Sequence, residues 1–175
     1  MDEQMHDLIV TFDPQIAPEY PRITMPLFDP TRFFPKDVPG AGSLLWIGKG
    51  EVPEDFDRSG MTLVTTTWPP TQSELAARLR SADVLYTCDW LTSLVGEALM
   101  CATPVVLVGD QAWDRNEISL WPGMAWADDC DLASIRTAAE QFFPAYFEGF
   151  RGIDQTIEGF VELVNWHFGQ AVAKK

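Results

Sequence analysis

The chain has 175 residues, of which 46% are hydrophobic, and it contains eleven Phe and seven Trp. This length suits one domain with a full core, and the aromatic content is unlike that of a disordered protein. The formal net charge of −14 repels nucleic-acid phosphates and anionic membrane surfaces. We therefore expect a folded protein that does not bind nucleic acid.

The amino-terminal region predicts a connector rather than a leader or an anchor. The start "MDEQMHD" is acidic where a secretory signal would be basic, and no apolar run in the chain approaches the roughly 18 residues of a membrane helix. We expect a soluble, cytoplasmic protein without a membrane span. Residues 7–12 and 22–25 read as short strands, and seven prolines between residues 13 and 40 exclude a helix there. We therefore divide the chain into an amino-terminal strand with a Pro-rich connector (1–40) and one globular α/β domain (41–175).

From residue 43 onward, buried strands alternate with amphipathic helices. Continuous apolar runs predict strands over 43–48, 61–68, 83–87 and 103–109. Helices are predicted between the last three of these strands, over 71–82 and 92–102. Strand and helix in alternation with short links indicate a parallel sheet. The predicted fold is α/β, a Rossmann-like parallel sheet with helices on both faces.

Capping residues mark the predicted helix starts. Thr71-x-x-Glu74 is a capping-box pattern, and Thr92 or Ser93 is expected to cap the next helix. Beyond a possible short strand at 123–127, Asp131 is expected to cap a helix over 132–143. A last helix is predicted over 153–172, with Ile157, Phe160, Val161, Val164 and Phe168 as its apolar stripe. The aromatic segment "FFPAYFEGF" is interpreted as a joint between these helices.

The cysteines and histidines indicate neither a disulfide framework nor a zinc site. Cys88, Cys101 and Cys130 are an odd number without a C-x-x-C pair, and the two histidines stand at opposite ends of the chain. We expect Cys88 and Cys101 to be small buried hydrophobes, because both stand inside apolar segments.

Ligands of open parallel sheets bind at the carboxyl ends of the strands, where helix amino termini present free amides. The segment "CDWLTS" falls there, so Thr92 and Ser93 could seat a phosphate. Glu97, one turn inward, and Asp89 in the loop could each accept hydrogen bonds from sugar hydroxyls. The spacing alone equally fits Asp89 as a loop or cap residue and Glu97 as an ordinary exposed helix residue.

The segment "SADVLYTCDWLTSLVGEALMCATPVVLV" resembles the nucleotide-sugar-binding region of retaining GT-B glycosyltransferases. Their pattern is an acid, seven residues, Glu-Ala, and then a small residue followed by Thr-Pro-Val-Val, which Asp89-x7-Glu97 matches. "FDPTRFFPKD" is similar to the inter-domain connector of these enzymes, and "SLLWIGKG" to the first strand and glycine turn of their carboxyl-terminal domain. The resemblance extends from about residue 22 to 170.

This resemblance implies a role for each matching residue. Glu97 would contact the ribose hydroxyls, Asp89 the donor sugar, and Thr92 with Ser93 the diphosphate. Lys49, between Gly48 and Gly50 of the glycine turn, would neutralise the charge of the leaving group. Thr67 and Trp68 occupy the place where the family holds the base. A surface role for Lys49 and a core role for Trp68 stay open.

The chain departs from the family at several positions. The first acid is Asp instead of Glu, Ala102 stands where the family generally has Gly, and Thr66 and Thr67 stand where a second basic residue is expected. Only about twenty-five residues precede the connector, so we expect the acceptor half of the cleft to come from outside this chain. Activity would then require an amino-terminal acceptor domain or a partner chain.

Asp129-x-Asp131 also matches the metal-binding Asp-x-Asp of the other large glycosyltransferase fold. It precedes a helix that Asp131 is expected to cap, so we expect no metal and no bound cofactor beyond the nucleotide-sugar substrate. The leading hypothesis is the donor-binding domain of a retaining, metal-independent glycosyltransferase. The alternatives are a non-catalytic nucleotide or nucleotide-sugar binding module with a regulatory role, and an α/β protein-interaction domain.

Overall fold

A computed structural model describes residues 27–109, 120–150 and 153–172, with side chains over 27–109, 120–148 and 157–166. The chain forms two compact units, one of them Leu27–Phe147, while the last helix belongs to the other. The strands predicted at 7–12 and 22–25 lie outside the described residues. The division at residue 40 stays a prediction.

The larger unit is built on a parallel sheet of five strands, counted within the described ranges. They are β1 (Ser43–Trp46), β2 (Thr62–Val64), β3 (Val84–Thr87), β4 (Val105–Leu107) and β5 (Met124–Trp126). Their order is β2-β1-β3-β4-β5, and every neighbouring pair is parallel. The α/β, Rossmann-like fold class is thus confirmed.

The strands are shorter than the apolar runs predicted, because the last residues of these runs form turns. The second strand ends at Val64, and the chain then folds back so that the Thr65 amide donates to the Trp68 carbonyl at 2.8 Å. The first strand ends at Trp46, because a turn follows in which the Gly50 amide donates to the Ile47 carbonyl at 3.1 Å. The predicted extensions over 65–68 and 47–48 are therefore wrong.

The two crossover helices begin where predicted, but only one of them has a side-chain cap. Helix α1 spans Gln72–Ser81, and the Thr71 hydroxyl accepts from the Glu74 amide at 3.2 Å and donates to the Glu74 carboxylate at 2.8 Å. Helix α2 spans Ser93–Met100 with Thr92 as its N-cap residue, and Thr92 makes no side-chain cap bond. The predicted cap at Thr71 is confirmed.

Helix α2 ends in a Schellman motif whose left-handed residue is Ala102. The Thr103 amide donates to the Ala98 carbonyl at 3.0 Å and the Ala102 amide to the Leu99 carbonyl at 2.9 Å. Ala102 has a φ of +54°, a conformation that favours Gly because it has no Cβ. This motif delays the predicted strand at 103 until Val105.

The aromatic segment after the sheet, which the sequence suggested as a joint, forms a helix of its own, and the helix predicted over 132–143 ends earlier, at Glu140. Helix α3 spans Leu132–Glu140, capped as predicted by Asp131, whose carboxylate accepts from the Ala133 amide at 3.1 Å. Helix α4 (Phe142–Phe150) follows after Gln141. Pro144 lies in its first turn, where a missing amide costs no helical hydrogen bond. Phe142 stacks on Tyr146 and Phe143 on Phe147, four residues apart, and such pairs stabilise a helix.

In the second unit, helix α5 spans Ile153–Val172, as predicted. Of its expected apolar stripe, Ile157 and Val161 are about half exposed, at 48% and 50%. Phe160 and Val164 are partly buried. The side chain of Phe168 lies outside the described set. No helix among the described residues is long and apolar enough to cross a membrane.

The core of the larger unit has a layer on each face of the sheet. One layer joins α1 and α2 to the strands through buried side chains that include Leu79, Leu85, Leu99 and Val105. On the other face, Ile135 and Leu132 of α3 cover Val84, Val106 and Ala125 together with Val52 and Phe56. Cys88 and Cys101 are buried, as predicted.

The end of the predicted connector contributes to this core. Phe28 and Phe33 are both buried, at 7% and 3% exposure. The ring of Phe28 lies against Gly96 of α2 and occupies the space that a Cβ on Gly96 would need. The absence of a side chain at Gly96 therefore lets this segment pack directly on α2.

Candidate functional site

The strand order creates a crevice at the carboxyl ends of β1 and β3. The chain leaves β1 toward β2 on one side and then crosses over to β3 on the other side of β1. The loops after β1 and β3 therefore diverge in opposite directions. Such a switch point is where open parallel sheets bind their ligands.

A cavity of about 600 Å³ lies at this crevice, and we call it the polar cavity. It brings together five of the residues predicted from sequence, from the loops after β1 and β3 and the start of α2. They are Gly48, Lys49, Asp89, Thr92 and Ser93. The hydroxyl-bearing Thr65 and Thr66 at the end of β2 also line it.

A hydrogen bond joins the two loops of the crevice. The Lys49 amide donates to Oδ2 of Asp89 at 3.2 Å. The Asp89 backbone is in turn held by Thr87, whose hydroxyl accepts from the Asp89 amide and donates to the Asp89 carbonyl, both at 3.0 Å. Asp89 therefore presents its carboxylate from a backbone that is fixed at the end of β3.

The two glycines of the turn after β1 are required by the backbone and by close packing. Gly48 has a φ of +59°, and a Cβ there would collide with Asp89 and with the indole of Trp46. A Cβ on Gly50 would collide with the carbonyl of Cys88. Gly50 does not line the polar cavity. Both glycines thus allow the loop after β1 to approach the loop after β3.

Among the residues that the structure describes, the cation that lines the polar cavity is Lys49. Lys49 is exposed, and its side chain forms no ion pair or hydrogen bond with any residue in the described ranges. Its ammonium is therefore available to a ligand.

The start of α2 faces this cavity, and its N-cap residue Thr92 makes no side-chain cap bond. The first-turn amides of a helix have no intrahelical acceptor. In α1 and α3 the side chains of Thr71 and Asp131 satisfy one of these amides, whereas in α2 the Thr92 side chain does not. Ser93 is exposed at this end. The Thr92 carbonyl accepts from the Val95 amide at 3.2 Å, but the Thr92 side chain caps none of the first-turn amides. The positive end of the helix dipole therefore points at the cavity without a side-chain cap.

Glu97 does not share this position. It lies in the second turn of α2 with only 9% of its surface exposed, one of three buried polar residues of the described chain. Burial raises the pKa of its carboxyl group, and the nearby Arg32 partly opposes this. Glu97 is not among the residues that line the polar cavity. It is thus not an ordinary exposed helix residue, and the structure does not bring it together with Lys49 and Asp89.

Thr67 and Trp68 are also separated from the polar cavity. Thr67 is exposed in the turn that ends β2, where its amide donates to the Thr65 hydroxyl at 3.3 Å. Trp68 is partly buried and lines a different cavity together with Pro70, Glu74 and Arg78. The Arg78 guanidinium lies over the Trp68 ring at 5.4 Å from its centroid. Trp68 thus contacts α1 and does not reach the crevice between β1 and β3.

A second cavity next to the polar cavity was missed by the sequence-based reasoning. It has a volume of about 400 Å³, and we call it the aromatic cavity. Its apolar wall includes Leu27, Phe28, Trp90, Trp121 and Met124. The abundance of tryptophan was the only signal, because these residues come from three separate parts of the chain. Among the described residues, the buried indole N–H groups of Trp90 and Trp46 have no hydrogen-bond partner.

The alternative Asp-x-Asp motif is placed away from both cavities. Asp131 acts as the cap of α3, and its carboxylate also accepts from the Ser134 hydroxyl. These contacts hold the pKa of Asp131 below its ordinary value. Within the described ranges, no group of three or more His, Cys, Asp or Glu side chains could hold a metal ion.

The larger unit is therefore a Rossmann-like α/β protein, and its polar cavity lies at the switch point of a parallel sheet with five strands in the described ranges. No model of a known protein family matches the sequence. No curated protein is similar enough to it to count as a relative.

Proposed function

We propose that this chain binds a nucleoside-diphosphate sugar in the polar cavity, as the donor-binding domain of a glycosyltransferase. One observation carries the proposal: Lys49, Asp89 and the uncapped start of α2 meet in a single cavity at the switch point. The resemblance of Asp89-x7-Glu97 to the retaining GT-B enzymes supports the same ligand.

The diphosphate would lie at the start of α2. Amides without an internal acceptor and the positive end of the helix dipole favour a phosphate there, even in a protein with a net charge of −14. The hydroxyls of Thr92 and Ser93 add donors at the same place. Lys49 on the opposite loop would neutralise the charge that develops on the diphosphate when the bond to the sugar breaks.

Asp89 would accept hydrogen bonds from hydroxyls of the donor sugar. One of its carboxylate oxygens already receives the Lys49 amide, and a carboxylate can accept further hydrogen bonds. The contact between the two loops therefore orients Asp89 without using up its capacity as an acceptor.

The ribose contact is assigned to Glu97 through the resemblance. Ser93 and Glu97 are four residues apart on one face of α2, so a ribose joined to a phosphate at Ser93 is directed toward Glu97. A carboxylate whose pKa is raised by burial gains from hydroxyl donors. Because Glu97 is nearly buried, a ribose would have to lie directly against α2 to reach its carboxylate.

The transfer step belongs to a larger assembly in this proposal. The polar cavity supplies groups for a donor, and the acceptor would come from an amino-terminal domain or a partner chain. We expect little or no sugar transfer by this chain alone, and we place it in the cytoplasm. A regulatory nucleotide-binding module would use the same cavity without the transfer step.

A second candidate is a protein-interaction domain. Leu27, Leu91 and Trp121 line the aromatic cavity and are 69%, 65% and 41% exposed. Such clustering of large exposed apolar side chains is typical of interfaces. This function requires no nucleotide, so a binding measurement distinguishes the two.

Calorimetric titration of the whole chain with uridine and guanosine diphosphates tests the proposal. We expect saturable binding that weakens with added salt, and a loss of about 1–3 kcal/mol in Lys49→Ala, as for a charged hydrogen-bonding group. Arg58→Ala is the matched control, because Arg58 is an exposed cation of the same β1–β2 link and lines neither cavity.

Two results would contradict the proposal. One is the absence of saturable binding to either diphosphate. The other is an equal loss of affinity in Lys49→Ala and Arg58→Ala, which would mean that only the general charge of the chain matters.

A further inference from the structure

We infer that the aromatic cavity receives the base of the nucleotide, so that Trp121, and not Trp68, is the tryptophan that contacts it. This inference rests on the proposed function and adds the position of the base to it. It also replaces the assignment of Thr67 and Trp68 that the sequence suggested.

The two cavities adjoin each other. Leu91, Thr92 and Ser93 line both of them. A diphosphate at the start of α2 therefore has the polar cavity with Lys49 and Asp89 on one side and the aromatic cavity on the other. A nucleotide sugar has the same order of parts: a polar sugar at one end, then the diphosphate, then the ribose, and a planar base at the other end.

The walls of the aromatic cavity are largely apolar. Phe28 and Met124 are buried in the aromatic cavity, while Trp121 keeps 41% of its surface exposed. Bases have apolar faces that stack on aromatic side chains irrespective of their identity. A cavity of about 400 Å³ is within the range of small-molecule pockets.

The aromatic wall is also held in place before any ligand binds. Trp121 lies edge-on to Phe28 with ring centroids 6.4 Å apart, and its centroid is 5.6 Å from that of Phe142. The Tyr146 hydroxyl accepts from the amides of Leu27 and Phe28 at 2.9 and 2.8 Å. A wall that is already ordered loses little entropy when a base stacks against it.

Trp68 lacks these properties. The Arg78 guanidinium lies over its ring, and the cavity that it lines shares no residue with the polar cavity. A base on Trp68 would therefore be outside the continuous space that contains the start of α2.

The test compares Trp121→Leu with Trp68→Leu in titrations of the whole chain with uridine and guanosine diphosphates. We expect Trp121→Leu to weaken binding about tenfold or more, Trp121→Phe to recover most of the affinity, and Trp68→Leu to leave it unchanged. Thermal unfolding of each variant verifies folding. If Trp121→Leu does not fold, Leu27→Asn at the exposed rim replaces it, and a loss of affinity is again expected.

The outcomes separate this inference from the proposed function. If the chain binds the diphosphates but Trp68→Leu weakens binding as much as Trp121→Leu or more, the base position is wrong and the proposed function stands. The same conclusion follows if the folded Trp121 and Leu27 variants both retain full affinity. If the unmodified chain binds neither diphosphate, the proposed function fails and this inference fails with it.

Discussion

The Lys49 amide donates a hydrogen bond to Oδ2 of Asp89 at 3.2 Å, across the point where the loops after β1 and β3 diverge. This hydrogen bond holds the two loops close together. The Lys49 ammonium on the loop after β1 and the Asp89 carboxylate on the loop after β3 therefore line the same cavity. The hydrogen bond depends on Gly48, whose missing side chain leaves room for the Asp89 carboxylate.

Substitution of Gly48 tests this close approach. Gly48→Ala places a Cβ at a φ of +59° and against Asp89 and Trp46, whereas Gly60→Ala places one at +74° with nothing within 4 Å. Both variants bear the left-handed strain of roughly 1–2 kcal/mol. We expect Gly48→Ala to lose about 1 kcal/mol or more beyond Gly60→Ala, because the loops must move apart. Urea unfolding of both variants measures the difference, and equal losses would mean that the two loops do not pack closely.

Substitution of Ala102 by Gly is expected to stabilise the protein. Ala102 has a φ of +54° in the motif that ends α2, and Gly relieves the strain there. After the greater flexibility of Gly in the unfolded chain is subtracted, we expect a net gain of about 0.5–1 kcal/mol. Ala77→Gly, on the exposed side of α1, should instead lose about 1 kcal/mol. Chemical denaturation of the two variants gives the sign of each change in the free energy of unfolding. A lower stability of Ala102→Gly would contradict the left-handed conformation at the end of α2.

The N-cap residues of α1 and α2 should respond differently to Ala. Thr71→Ala removes the hydroxyl that accepts from the Glu74 amide, and we expect a loss of about 1 kcal/mol. Thr92 makes no side-chain cap bond, so Thr92→Ala should change stability by no more than a few tenths of a kcal/mol. The proposed site requires that Thr92→Ala nevertheless weakens nucleotide binding. Thermal unfolding with and without uridine diphosphate measures both effects.

Glu97→Gln should stabilise the free protein near neutral pH. Burial raises the pKa of Glu97 in the folded state above its ordinary value of 4.5. The folded protein thus holds the proton more tightly than the unfolded chain, and its stability falls as the pH rises from below 4.5 through the raised pKa. Gln carries no charge to bury, so we expect a gain of roughly 1 kcal/mol at pH 7 that shrinks toward pH 4.

The same substitution should impair binding if Glu97 contacts the ribose. We expect Glu97→Gln and Glu97→Ala to weaken diphosphate binding, the latter by about 1–3 kcal/mol, since a charged acceptor is lost. Glu54→Gln is the control, because Glu54 is exposed in the β1–β2 link. Urea unfolding at several pH values gives the stability, and calorimetry gives the affinity. A more stable Glu97→Gln variant that binds the diphosphates as tightly as the original would remove Glu97 from the site.

The secondary structure was largely predictable, because local patterns determine it. Thr71 and Asp131 cap the helices that follow them, as their side chains predicted. The errors occurred where a run of apolar or aromatic residues admits more than one backbone path. Trp68 extends the apolar run of β2 but lies in a turn, and the "FFPAYFEGF" segment forms α4 because its rings stack four residues apart.

The candidate site was predictable only for residues that directly follow a predicted strand. Lys49, Asp89 and Ser93 each follow a strand, and parallel strands bring their carboxyl ends to one edge of the sheet. The burial of Glu97 was not predictable, because it depends on which face of α2 turns toward the rest of the protein. The aromatic cavity was missed for a similar reason, since Phe28 and Trp121 are ninety-three positions apart and meet only in the folded chain.

The sequence by itself determined that this chain folds into alternating strands and helices, because the spacing of apolar residues and the caps act within a few residues of one another. It also placed a lysine, an aspartate and a helix start after strands of one sheet. The tertiary structure alone decided which of these share a cavity, since that depends on strand order and on side chains distant in the chain. The order β2-β1-β3 brings Lys49 and Asp89 together, while the packing of α2 encloses Glu97 and the turn after β2 carries Trp68 away.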